Sequence, residues 1–147
     1  MQYKYYLHLF AGMAMLELGN LASSLAPFNV SAVSESLGAN SQESGLVVTL
    51  ELFFAAISSL FFGTVSYKGK ALAYCGSLIV ICSYFLCSIA SDVNQITFIK
   101  AFSGIGCGML IASGHSILAS SQDPNRSYAL FTLFASCLLY TSDAADD

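Results

Sequence analysis

Four apolar runs, each long enough to cross a bilayer, follow one another along the chain with only short polar breaks between them. A hydrocarbon core about 30 Å thick needs about 20 apolar residues at about 1.5 Å rise each. Tyr5 to Ala26, Gly45 to Ser66, Ala71 to Ala90 and Ile96 to Ser120 meet that length, and a fifth run opens at Ser127. The pattern predicts an all-α integral membrane protein with helices over those ranges. The first run reads as a retained anchor. Its apolar part is about twice as long as a signal-peptide h-region and leads into Pro27-Phe28-Asn29-Val30 without a small-residue cleavage site.

Composition agrees with this pattern. Hydrophobic residues make up 56% of the chain and charged residues 10%, against about 25% charged in an average soluble domain, and the mean hydropathy is +0.68. A soluble core cannot hide that much apolar surface. Lys and Arg stay on the cytoplasmic side of short loops. With a cytoplasmic N-terminus, Lys4, Lys68, Lys70 and Arg126 all fall inside. The two outward loops, Phe28 to Gln42 and Ser91 to Gln95, then carry Glu35 and Asp92 and no basic residue. The expected location is the plasma (inner) membrane, as a multi-pass protein. Lys100 lies near the outer end of the fourth run, where its long stem is expected to snorkel toward the interface.

The link between the second and third runs is Gly63-Thr64-Val65-Ser66-Tyr67-Lys68-Gly69-Lys70. It reads as a tight basic turn whose two glycines are free to take positive φ and whose two lysines sit at the membrane surface. It also resembles the signature loop between helices two and three of the major facilitator superfamily, commonly Gly-x-Leu-Ala/Ser-Asp-Arg-x-Gly-Arg-Lys/Arg. Gly63, Ser66, Lys68, Gly69 and Lys70 carry the likeness, with Tyr67 where that family has Asp and one position fewer before the second glycine.

In the fourth run, Lys100-Ala101-Phe102-Ser103-Gly104-Ile105-Gly106-Cys107-Gly108 is similar to that family's fourth helix, in which a basic residue precedes a Gly-x-Gly run. Lys100 takes the place usually held by Arg, so a bidentate contact to a carboxylate becomes a point-charge contact. Gly104, Gly108 and Ala112 recur every four residues, and together with Gly106 they are expected to let a neighbouring helix approach closely. A phosphate-cradling loop is excluded there, because no strand precedes it and the segment lies at membrane depth. The next break, Ser120 to Ser127, holds Pro124 with Asp123 or Asn125 as candidate caps.

The resemblance implies that residues 1–136 form a partial N-terminal transmembrane domain, the first four helices and the start of the fifth in a twelve-helix bundle. The last residues, Cys137-Leu138-Leu139-Tyr140-Thr141-Ser142-Asp143-Ala144-Ala145-Asp146 and then Asp147, resemble the translated end of a transposon adaptor used in sequencing libraries. They are expected to be foreign to the gene product. Without Asp143, Asp146 and Asp147 the formal charge rises from -4 to -1.

Ionisable residues at membrane depth are the candidate chemistry. Glu17, in the middle of the first run, costs about 2.5 to 3.5 kcal/mol on insertion scales if charged, so it is expected to face the bundle interior, to pair, for instance with Asn20, or to hold a proton. Glu51 and Lys100 enter from the same outer side with opposite charges, which predicts an ion pair between the second and fourth helices, a gate or a structural clamp. His115, deep in the fourth run, is expected to be neutral and hydrogen-bonded. His8, near the inner interface, is assigned no role. Asn40-Ser41-Gln42-Glu43 reads as a capped helix start. Cys75, Cys82, Cys87 and Cys107 show no ligand spacing, so no metal or cofactor is expected.

These features, with the resemblance, imply a secondary transporter moving a small organic solute by alternating access, proton-coupled through Glu17, and inactive without its missing C-terminal helices. Its expected partners are the lipid bilayer, the solute and protons. No nucleic-acid surface or catalytic motif is present, so no enzymatic activity is expected. An intramembrane acid-base site of Glu17, Glu51 and His115 is the weakest reading, and a small helical scaffold or oligomeric partner is the alternative. Phe53, Phe54, Phe61 and Met109 could line a pocket for an amphipathic solute or face lipid.

Overall fold

The computed structural model describes residues 2–64 and 69–143, with side chains over residues 5–64 and 69–137. It is a helical bundle of α1 (Gln2–Ser24), α2 (Ala26–Leu37), α3 (Ser41–Thr64), α4 (Gly69–Cys87), α5 (Val93–Ala119) and α6 (Pro124–Asp143), with no strand among the described residues. Among these, α3, α4 and α5 are each long and apolar enough to cross a membrane, and α1 with α2 makes a fourth if the bent pair is one span. Large apolar side chains point outward, with Tyr74 and Phe98 each 78% exposed. Water would penalise that surface, whereas a lipid solvent does not.

One expected loop is a helix. The stretch Phe28 to Gln42 looked like an outward loop because Asn29, Ser31, Ser34, Glu35 and Ser36 interrupt it, yet Ala26–Leu37 is helical. Val30, Val33 and Leu37 recur at helical spacing, and Val33 and Leu37 pack with Val47, Ile96 and Val93 at this end of the bundle. Pro27, in the first turn of α2, has no N–H to offer the carbonyl of Ser23, and the chain bends there by 49°. Hydrogen bonds from Leu25 N to Leu21 O and from Asn29 N to Leu25 O, both 2.9 Å, carry the ladder across the bend.

The other boundaries follow caps. Asn40 Oδ1 accepts from Glu43 N at 2.9 Å while Glu43 Oε2 accepts from Asn40 N at 3.0 Å, the reciprocal box that starts α3. Asp123 Oδ1 accepts from Arg126 N at 3.2 Å, and Pro124 fixes the first turn of α6. Of the described glycines only Gly38, which ends α2, has positive φ, at 64°. Gly63 and Gly69 do not use the freedom expected of them. They lie in the last turn of α3 and at the first residue of α4, where ordinary helical φ suffices.

The bundle is organised around α5, which α1, α3 and α4 all contact extensively. Each neighbour meets a different glycine. A Cβ on Gly104 would fall on the Glu51 carbonyl oxygen of α3, and one on Gly108 would lie 2.5 Å from Ala55 O. On a second face Gly106 meets Gly76 of α4, each glycine's ideal Cβ lying 2.9 Å from the other's carbonyl oxygen. On a third, a Cβ on Gly114 would sit 2.8 Å from Gly12 O of α1. Gly104, Gly106 and Gly108 make close helix approaches, spread over two faces rather than one, and Ala112 is buried. Ser58 Oγ adds a 2.8 Å hydrogen bond to Ile105 O between α3 and α5.

Candidate functional site

Glu51 lies ten residues into α3, about 15 Å along its axis, and Lys100 seven residues into α5, about 10 Å. Because Gly104 has no side chain, the α3 backbone at Glu51 rests directly against α5 one turn beyond Lys100. The two side chains therefore meet. Lys100 Nζ is 3.2 Å from Glu51 Oε2 and donates to Oε1 at 3.4 Å. Their side chains are 5% and 0% exposed, so the expected snorkelling of Lys100 does not occur. An internal carboxylate a few ångströms away holds the ammonium more strongly than a distant interface can.

Tyr84 of α4 closes the cluster, with its ring centroid 4.4 Å from Lys100 Nζ. A cation over an aromatic face is favourable, more so away from water. Three helices thus contribute one group each: carboxylate, ammonium and phenol. Glu51 Oε2 is held by its ion-pair contact with Lys100, whereas the buried Tyr84 hydroxyl makes no hydrogen bond to the described residues. The sequence reading missed Tyr84. Tyr74, Ser77 and Ser88 lie in the same run, so nothing in the sequence set Tyr84 apart.

Glu17 sits apart from this cluster on α1. It is half-buried, its Oε1 is enclosed and has no hydrogen-bond partner among the described residues, and the expected bond to Asn20 is not made. Asn20 instead offers its backbone carbonyl to Ser23 Oγ at 2.7 Å. Lone carboxyls at such a depth are costly unless they work with a proton or a cation.

His115 is hydrogen-bonded as expected, but at an exposed position and to a partner the sequence did not indicate. Its Nδ1 is 3.2 Å from the Tyr128 hydroxyl of α6, and that hydroxyl donates to His115 O at 3.4 Å. The pair borders an open cavity of about 630 Å³ between α3, α5 and α6, lined also by Ser59, Gly63, Ala112 and Ser120. Glu17, Glu51 and His115 are not brought together: Glu51 is taken by Lys100 and His115 by Tyr128.

Of the loop residues, Gly63, Gly69 and Lys70 are described, and Lys70 is exposed at the start of α4. Ser66 and Lys68 lie outside the described residues. Phe53 and Phe61 point out of the bundle at 55% and 61% exposure, whereas Met109 packs toward Gly76, so these side chains do not form one solute pocket. Among the described residues no three His, Cys, Asp or Glu side chains converge on a possible metal position. Comparison of the chain with family models, with curated proteins and with solved structures gives no match.

Proposed function

We propose that this chain is the opening part of a secondary transporter of the major facilitator type, moving a small organic solute by alternating access with proton coupling. The observation that carries the reading is the intramembrane Glu51–Lys100 pair on glycine-faced helices. Buried charges at membrane depth are expensive and are used on substrate and ion pathways. Glu17, with an enclosed oxygen that no neighbour satisfies, is the group suited to take a proton from one side and release it to the other. Glu51, Lys100 and Tyr84 act as a clamp between α3, α4 and α5. Alternating access needs a second set of helices to rock against this one around a midplane site.

Two measurements test the proposal. Long-read sequencing of the source DNA beyond the Ser136 codon should show the frame continuing through further apolar segments. A frame that encodes Cys137 to Asp147 and stops would instead favour a small membrane scaffold. Vesicles containing only residues 1–147 should show no solute uptake. The completed protein should show proton-driven flux that Glu17→Gln uncouples, and unchanged coupling in that variant would remove Glu17 from the mechanism.

A further inference from the structure

α1 and α4 both pack on α5, and between them runs a groove of about 440 Å³ with Ile117 of α5 in its lining. Ala11 and Met15 of α1 form one wall, and Ala73, Tyr74 and the small polar Ser77 of α4 the other. His8 and Lys70, both exposed, stand at one end of the groove, where α4 begins with Gly69. From His8 to Met15 is two helical turns, about 10 Å, over which the α1 wall changes from polar to apolar. Among the described residues no Asp or Glu lines the groove. A small anion would have no use for the apolar walls and a neutral solute none for the cation, whereas an anionic amphiphile matches both.

We propose that this groove holds an anionic phospholipid of the surrounding leaflet. Its phosphate lies against the Lys70 ammonium and a His8 N–H, and an acyl chain runs between Met15 and Tyr74. Tyr74 is 78% exposed and leaves that side of the groove open, the side from which an acyl chain would enter. Juxtamembrane lysines attract anionic headgroups in general. Here the apolar walls continue from the cation, which binds one lipid in register rather than a diffuse layer. The inference does not depend on transport.

The test uses the full chain in phosphatidylcholine vesicles containing a small fraction of phosphatidylglycerol with a diazirine midway along one acyl chain. After illumination, labelled peptides are mapped by mass spectrometry. Labels should concentrate on 11–15 and 73–77. In a His8→Gln/Lys70→Gln variant of matched helical content they should fall roughly fivefold, about the weight of one cation at an anionic surface. Arg126→Gln, which removes a cation outside the groove, should leave them unchanged. The inference is overturned if labels spread evenly over the outer faces of α3 and α4, if diazirine-phosphatidylcholine labels the groove equally, or if the double variant retains full labelling.

Discussion

Replacing Gly104 with alanine adds one methyl group where α5 touches the backbone of α3. The new Cβ would fall on the Glu51 carbonyl oxygen, 3.0 Å from the Glu51 carbonyl carbon and 3.1 Å from Ala55 N. These are backbone atoms of a helix and cannot rotate aside. The carbonyl oxygen is the nearest of them and is overlapped most deeply, so α3 must retreat by about 1 Å, which forfeits about half of the dispersion well along the seam. Overpacking of this kind costs about 1 to 3 kcal/mol, and alanine returns up to about 1 kcal/mol through its better helix propensity. The net expectation is a loss of up to about 3 kcal/mol, centred near about 1.5 kcal/mol. Gly45→Ala is the control, because it makes the same chemical change within α3 at a site where no described atom beyond the local helix backbone and chain neighbours lies within 4 Å of the new methyl. It should be neutral or stabilise by up to about 1 kcal/mol. Equilibrium unfolding in mixed micelles, followed by circular dichroism across a sodium dodecyl sulfate titration, measures both variants against wild type. If Gly104→Ala proves as stable as Gly45→Ala, direct backbone contact does not hold α3 on α5, and the glycine-faced hub is refuted.

Removing one partner of the buried pair should cost more than removing both. Lys100→Met strands a buried carboxylate and should destabilise by about 3 to 5 kcal/mol, whereas Glu51→Leu/Lys100→Met should lie near wild type or above it. A double variant as unstable as the single one would contradict a direct pair. At the start of α3, Asn40→Ala should cost about 1 kcal/mol and speed amide exchange over the first turn; unaltered exchange there would mean that the capping box contributes nothing.

The helices were legible where one rule decided them. The lengths of the second, third and fourth apolar runs lie within a few residues of α3, α4 and α5; Asn40 announced the start of α3, and Asp123, one of two candidates with Asn125, that of α6, through side chains that compete for backbone amides. α2 was not legible in that way. Its polar residues suit solvent, and its helical state comes from a seam of Val33 and Leu37 that pays off only once α3 and α5 are in place. For the candidate site, opposite charges at similar depth sufficed to pair Glu51 with Lys100. Depth could not show which helix faces meet, so Tyr84 beside Lys100 and Tyr128 beside His115 had no signature of their own.

Lys100 and Gly104 are four residues apart and therefore share a face of α5. That spacing joins the two features that sequence suggested separately. The glycine brings the Glu51 backbone into contact with α5, and the same approach sets the distance at which the Glu51 side chain can reach the ammonium one turn away. A bulkier residue at 104 would move the carboxylate outward and leave Lys100 the choice between a longer reach and the distant interface. Packing and electrostatics at this seam are one arrangement: the small residue controls how far apart the helices stand, and the ion pair fixes their register at that separation. Any rocking of α3 against α5 must break both together. This is the physical ground on which we propose that the seam is a clamp between α3, α4 and α5, and that Glu17 of α1, whose Oε1 has no hydrogen-bond partner among the described residues, is the group to test for proton coupling.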